Sequence, residues 1–343
     1  MAANLTLANK NPFSTFDFLG YFIPGAFALG LLYVLSNGLD FDSNLKPRSF
    51  IKMIQVIRDH EGYGAFILIV LSYILGHLIS YVSSVTVELF YIWCYGYPTD
   101  YLLLDMDKYQ KKHIISSKYG WCGNVWHVIV CLFLLPLFMC HFLVEKTLGI
   151  GKFLSKGVDN NLRICLKNKV NGLSDSIDYV RIDEYCHTTH DVHRIVMHKV
   201  YENCQQHVIK YDNYVALYGF LRSITLIFNM AFLYLIYRFI RYCEHDAFFT
   251  CQSVFISVIA GLLLLWFLYY WNNETRKNLI LGFIAGFIMT IFIFMLCSSD
   301  KTGEIIQIMA IFVATYVSYL GFTKFYRRFT LENLMTLLIC KDE

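Results

Sequence analysis

Charge is scarce in this sequence. Only 16% of its 343 residues are Asp, Glu, Lys or Arg, where a soluble domain carries about a quarter. That shortage argues against an ordinary soluble enzyme. The net charge is only +3, too little to mark a nucleic-acid binder. Paired cysteine spacing is missing too. The 11 cysteines are scattered and mostly sit in apolar runs, as Cys131, Cys140 and Cys297 do. Buried free cysteines act as small hydrophobes, so the spacing predicts no disulfide framework and a reducing compartment for the polar parts. There is no convincing signal peptide: Lys10 is the one cation before Phe13, and the apolar run after it is longer than a typical h-region. There is also no internal repeat, no Gly-rich phosphate loop, no H-E-x-x-H and no G-x-S-x-G. Known soluble-enzyme catalysis has no motif to rest on, and no cofactor is expected.

Apolar residues, by contrast, are abundant, at 57%, with a mean hydropathy of +0.47. A helix needs about 20 apolar residues to cross a bilayer. Candidate spans are 16–36, 65–86, 125–144, 221–237, 248–270, 279–297 and 305–322. The third is interrupted by His127, Pro136 and His141, so the count is seven, or six if 125–144 lies in the interface. The expected fold is all-α: a polytopic helical membrane protein with six to seven spans and a helical cytosolic insertion. Its parts are an N-terminal membrane region (1–144), a cytosolic helical domain (145–220), a C-terminal membrane region (221–323) and a basic tail (324–343). With the N-terminus outside, 21 of the 29 Lys and Arg residues fall inside and eight outside. The positive-inside rule favours that orientation. The rule weakens for long loops, and 145–222 alone supplies eleven of the 21 cations.

The polar stretch 145–220 has helical periodicity. Val192, Val196, Val200, Cys204, Val208, Tyr211, Val215 and Tyr218 recur every three or four residues. Thr188 to Asp191 reads as a capping box. No Pro or Gly interrupts 188–216, so one helix is predicted to run from 188 into the fourth span. Its apolar stripe must be covered by 160–171, by the C-terminal tail or by another subunit. A cytosolic protein partner could also engage 188–218.

Several residues carry candidate roles. Ser72, Gly76, Ser80 and Ser84 recur every four residues and form a small-residue face, which lets helix backbones approach closely. That face serves packing within the chain, a subunit interface or a pore lining. Gly282 and Gly286 form a weaker case of the same kind. His77 sits near the middle of the second span. A buried imidazole there is expected to be neutral and hydrogen-bonded, with Asn229 as a candidate partner. Its roles are structural support, proton relay or ligand contact. Ser14 to Asp17 reads as a capping box, and Pro24-Gly25 predicts a kink or hinge. His187, His190, Asp191 and His198 share a helix face and could ligate zinc, although their spacing fits no standard finger and a solvated face explains them as well. Lys324, Arg327 and Arg328 follow the last span directly and read as a basic membrane anchor.

Four stretches taken together resemble a group of uncharacterised bacterial multipass membrane proteins. They are the F-D-F-L-G-Y-F-I-P-G run from Phe16 to Gly25, and Tyr73 to Ser80 leading to Gly96-Tyr97-Pro98. The third is Leu217-Tyr218-Gly219-Phe220-Leu221-Arg222 and the fourth Phe325-Tyr326-Arg327-Arg328. The resemblance covers both ends and the middle of the chain. It implies a bacterial inner-membrane location and supplies no activity, cofactor or catalytic residue. Some small bacterial membrane proteins of similar build act as antiviral effectors, an analogy of architecture alone. Three functions compete. The first is a non-enzymatic, homo-oligomeric effector, pore or scaffold controlled through 145–220. The second is a small-solute or ion transporter with His77 at the midplane. The third is a membrane-embedded enzyme using His77 and Glu88, which lie about 16 Å apart on one continuous helix.

Overall fold

The structure, a computed structural model, describes residues 17–37, 63–104, 120–141, 154–177, 189–243 and 302–339. Among these the chain is almost entirely helical, with no strand. Four stretches are long and apolar enough to cross a membrane: Phe18–Leu35, Tyr63–Leu103, Ile209–Phe239 and Gly303–Ile339. The expected spans 248–270 and 279–297, with Gly282 and Gly286, lie outside the described residues. The chain divides into two compact units, one of residues 1–229 and 314–343 and the other of 230–313.

In the first unit the chain opens with a π-helical turn, Phe18–Phe22, which runs into helix α1, Ile23–Asn37. Pro24 explains the join. Proline donates no hydrogen bond, so an α-helical register would leave a carbonyl unpaired four residues earlier. The backbone instead slips register just upstream, and the Ile23 N–H reaches the Phe18 carbonyl. The kink expected at Pro24-Gly25 thus takes the form of a widened turn. Helix α2, Tyr63–Ser83, packs along α1. Its outer face leaves Phe66, Ile67, Ile69, Leu71, Ile74 and Leu78 exposed. A soluble protein rarely exposes so continuous an apolar face, and lipid is the solvent that suits it.

After α2 comes a second π-helical turn, Ser84–Glu88, then α3, Leu89–Tyr95. The sequence explains the widening. Val85, Thr86 and Val87 are β-branched and crowd a tight helix. The hydroxyls of Ser83, Ser84 and Thr86 also donate back to the carbonyls of Ser80, Tyr81 and Val82, at 2.9, 2.7 and 2.7 Å. Gly96 ends α3 with φ 80°, a left-handed conformation that glycine adopts without strain. Pro98 then starts α4, Pro98–Leu103, a short helix buried along its whole length.

The third expected span is a correction. Residues 125–141 form no single helix: α5, Gly120–Phe133, and α6, Leu135–Cys140, are separated at Leu134, where φ is −95° and ψ 37°. Pro136, near the start of α6, cannot donate to the preceding turn.

The long polar helix predicted from 188 onward is the second correction. Helix α7 is Asn160–Ser176, and α8, Thr189–Asn203, stops before Cys204. A 3-10 turn, Gln205–His207, intervenes before α9, Val208–Cys243. The Cys204 and His207 N–H groups bond the carbonyls of Val200 and Cys204, at 2.9 Å each, so the chain changes direction without leaving those donors unpaired. The continuation into the fourth span does occur, within α9. Helix α10, Thr302–Ile339, runs unbroken through the expected span and the expected tail.

Two cores result. One joins Tyr101 to Leu104 with Leu166 and Val170 of α7, Val192, Val196 and Val200 of α8, Cys204, Tyr211 of α9, and Phe329, Leu334 and Leu337 of α10. The stripe of 145–220 is therefore covered by α7, by the C-terminal end of α10 and by α4. The other core joins Val87 to Tyr95 with Val130, Leu134, Leu137, Leu226, Tyr319, Phe322 and Tyr326. Tyr218 packs against both.

The second unit contains the end of α9 and the start of α10. Arg238 pairs with Glu304 at 3.4 Å and Phe232 meets Phe312 at 5.8 Å.

Candidate functional site

One helical turn beyond Tyr218, α9 places Arg222 against the second π-helical turn. Its guanidinium pairs with Glu88. Its Nε donates to the Ser83 hydroxyl at 3.1 Å and its Nη2 to the Ser80 carbonyl at 3.3 Å. Ser83 spends its own proton on the Ser80 carbonyl, so its lone pairs remain for Arg222. On the other side the Glu88 carboxylate faces Tyr326 of α10. Both charged side chains are largely buried, 11% and 21% exposed. Such charges are retained only where they are paired and hydrogen-bonded. Ionisable groups inside a helical membrane bundle are functional candidates by default, and π-helical turns recur at functional sites.

A polar seam continues along α9. Arg222, Thr225 and Asn229 share one face. Thr225 donates to Ser318 of α10 at 3.1 Å. Asn229, fully buried, donates from Nδ2 to the Phe133 carbonyl at 2.8 Å. That carbonyl lies at the break between α5 and α6. The Asn229 side chain thus ties α9 to that break.

The residues singled out from sequence are placed as follows. Ser72 and Gly76 are buried against α1. A Cβ built on Gly25 would lie 1.7 Å from the Ser72 carbonyl oxygen, and one on Gly76 would lie 1.8 Å from that of Tyr21. The first half of the small-residue face is therefore used inside the chain. Its second half divides: Ser80 serves Arg222, and Ser84 bonds its own helix. His77 requires a correction. It is exposed, stacked on Tyr21 at 3.9 Å and edge-on to Tyr73 at 4.5 Å. One residue past Gly76 is 100° around the helix, which turns it off the packed face. Asn229 bonds Phe133 rather than His77. Glu88 is held by Arg222, and His77 and Glu88 are not brought together.

Asp191 pairs with Arg194 at 3.5 Å, and His198 is exposed. His187 lies outside the described residues, as does most of the capping box at Ser14 to Asp17. Among the described residues no three His, Cys, Asp or Glu side chains gather closely enough to hold a metal. Arg327 donates from Nε and Nη2 to the Lys156 carbonyl, at 3.0 and 2.8 Å, while Lys324 and Arg328 stay exposed. Cys131, Cys140 and Cys165 are free thiols. Cys204 is disulfide-bonded, which corrects the expectation of unpaired cysteines, because pairing follows proximity in space and not spacing in sequence. In the polar helices Tyr201 donates to Asp212 at 3.1 Å. Burial, and then the Asp212 carboxylate, hold its phenol above the usual range.

The Arg222–Glu88 pair escaped sequence reading. In the sequence Arg222 ends the Leu217–Arg222 motif, and Glu88 lies eleven residues after His77. The available signal was two opposite charges, each closing or opening an apolar run.

No protein-family model, curated protein or solved structure matches the chain.

Proposed function

We propose that the chain is a non-enzymatic multipass membrane protein of a bacterial inner membrane, a homo-oligomeric effector, pore or scaffold controlled through its polar helical region. The observation that carries this reading is the Arg222–Glu88 pair. Helices α9 and α10 each contribute to both cores, and the pair lies one turn from Tyr218, which belongs to both. A partner engaging α7 or α8 would load α9 and α10, and the ion pair would pass that load to α2. The supporting physics is that packed, paired interiors respond by discrete rearrangement rather than by smooth deformation. Native mass spectrometry of the chain in nanodiscs tests the assembly. A defined homo-oligomer is expected, and a clean monomer would overturn it.

A second reading is favoured by one observation. The break at Leu134, with the Phe133 carbonyl beside it held by Asn229, has the character of the discontinuous helices that build transporter sites. Solute or ion flux into proteoliposomes separates the two: steady flux by wild-type chain that Asn229→Leu abolishes would put transport first. The His77–Glu88 enzyme reading lacks geometric support.

The orientation proposed places 145–220 in the cytoplasm, on the cation bias. The Cys204 disulfide pulls the other way, since disulfides persist in oxidising compartments. Cys165, free and exposed on α7, provides the test. A membrane-impermeant maleimide is expected to label it only after cells are opened.

A further inference from the structure

We propose that Lys156, Lys324 and Arg328 form a seat for the phosphate of an anionic lipid headgroup. The inference rests on the membrane-spanning reading and goes beyond it by naming the lipid class and the residues. The apolar run of α10 from Ile305 to Thr323 is about one bilayer thickness long, which brings Lys324 to headgroup level. Lys324 and Arg328 are exposed and four residues apart, so they share a face of the helix. The Lys324 ammonium lies 5.8 Å from the Phe325 ring centroid, and aromatic rings favour the interface. The third cation comes from elsewhere in the chain. Arg327 grips the Lys156 carbonyl with two donors. That grip brings the segment around 156 to this turn of α10, and the Lys156 side chain is exposed. The carboxylate one turn further on, Glu332, is held by Lys210 at 2.6 Å, so it is not the partner of these cations. Arg327 therefore builds the seat without lining it, and Lys156, absent from the expected anchor, completes it.

The test uses the full-length chain in nanodiscs of phosphatidylcholine alone or mixed with phosphatidylglycerol. The readouts are retained lipid by native mass spectrometry and the thermal midpoint. Wild type is expected to retain phosphatidylglycerol selectively and to melt higher in the mixed discs. The triple variant K156Q/K324Q/R328Q is expected to lose both effects, each cation contributing roughly fivefold to retention, while melting as wild type does in phosphatidylcholine. The charge-preserving K156R/K324R is expected to keep them, which separates headgroup binding from a folding defect. Equal retention by wild type and the triple variant would overturn the proposal. So would a thermal shift produced in phosphatidylcholine discs by inorganic phosphate alone, which would assign the seat to a free anion. A chain that stays soluble without detergent and does not enter discs would instead overturn the membrane reading beneath it.

Discussion

A methyl group added at Gly25 or Gly76 would enter the backbone of the facing helix, and neither backbone has a flexible side-chain end to yield. Gly25→Ala and Gly76→Ala are each expected to destabilise the first unit by about 1–3 kcal/mol, read as a lower thermal midpoint in detergent. Gly30 has open space around it. Gly30→Ala should leave the midpoint unchanged or raise it slightly, and equal losses at all three positions would refute close α1–α2 packing. The ion pair predicts a different pattern. Arg222→Ala strands a buried carboxylate and should cost about 3–5 kcal/mol, whereas replacing both partners with apolar residues should cost much less. A double-mutant cycle on Arg222→Met and Glu88→Leu measures the coupling; additive losses would show that the two side chains act independently. Small residues at a regular spacing were legible in the sequence, because periodicity alone puts them on one face. The opposite charges were not, because 134 positions of chain separate them and only the packing of α9 against the second π-helical turn brings them together.

At the scale of elements, the polar helices stand or fall with the shared core. Val196 of α8 and Leu334 of α10 are fully buried in it. Val196→Ala and Leu334→Ala should each cost roughly 1–4 kcal/mol. Hydrogen exchange should show the loss in α7 and α8, with α1 and α2 as protected as before. If α1 and α2 lose protection equally, the polar layer and the apolar bundle unfold as one unit. The apolar stripe of 192–218 was readable because its spacing is helical. The break at Cys204 was not: no Pro or Gly marks it, and a sequence with good helix formers on both sides gives no reason to stop. The break at Leu134 was half legible, since Pro136 announced an interruption without saying that Asn229 would hold the Phe133 carbonyl beside it.

For the whole molecule, scarcity of charge and the length of the apolar runs were enough to read an all-helical chain with helices fit to span a membrane, and the described residues contain four helices long and apolar enough to do so. That much is set by composition, because a helix satisfies its own backbone and lipid accepts apolar side chains on every face. Which faces meet is a different matter. Position near the middle of the second span suggested a buried His77, yet the backbone contacts at Gly25 and Gly76 fix the phase of α2 and leave His77 exposed. The same holds for the basic cluster after the last apolar run. Its charge is written in the sequence, but Arg327 is engaged by a carbonyl, and Lys156 joins the cluster only because two donors from α10 reach that carbonyl 171 positions away. Hydrophobicity and local propensity act on each segment separately, so a sequence determines them by itself. The pairing of buried charges, and of side-chain donors with distant carbonyls, depends on which segments the packed helices bring together, and only the tertiary structure decides that.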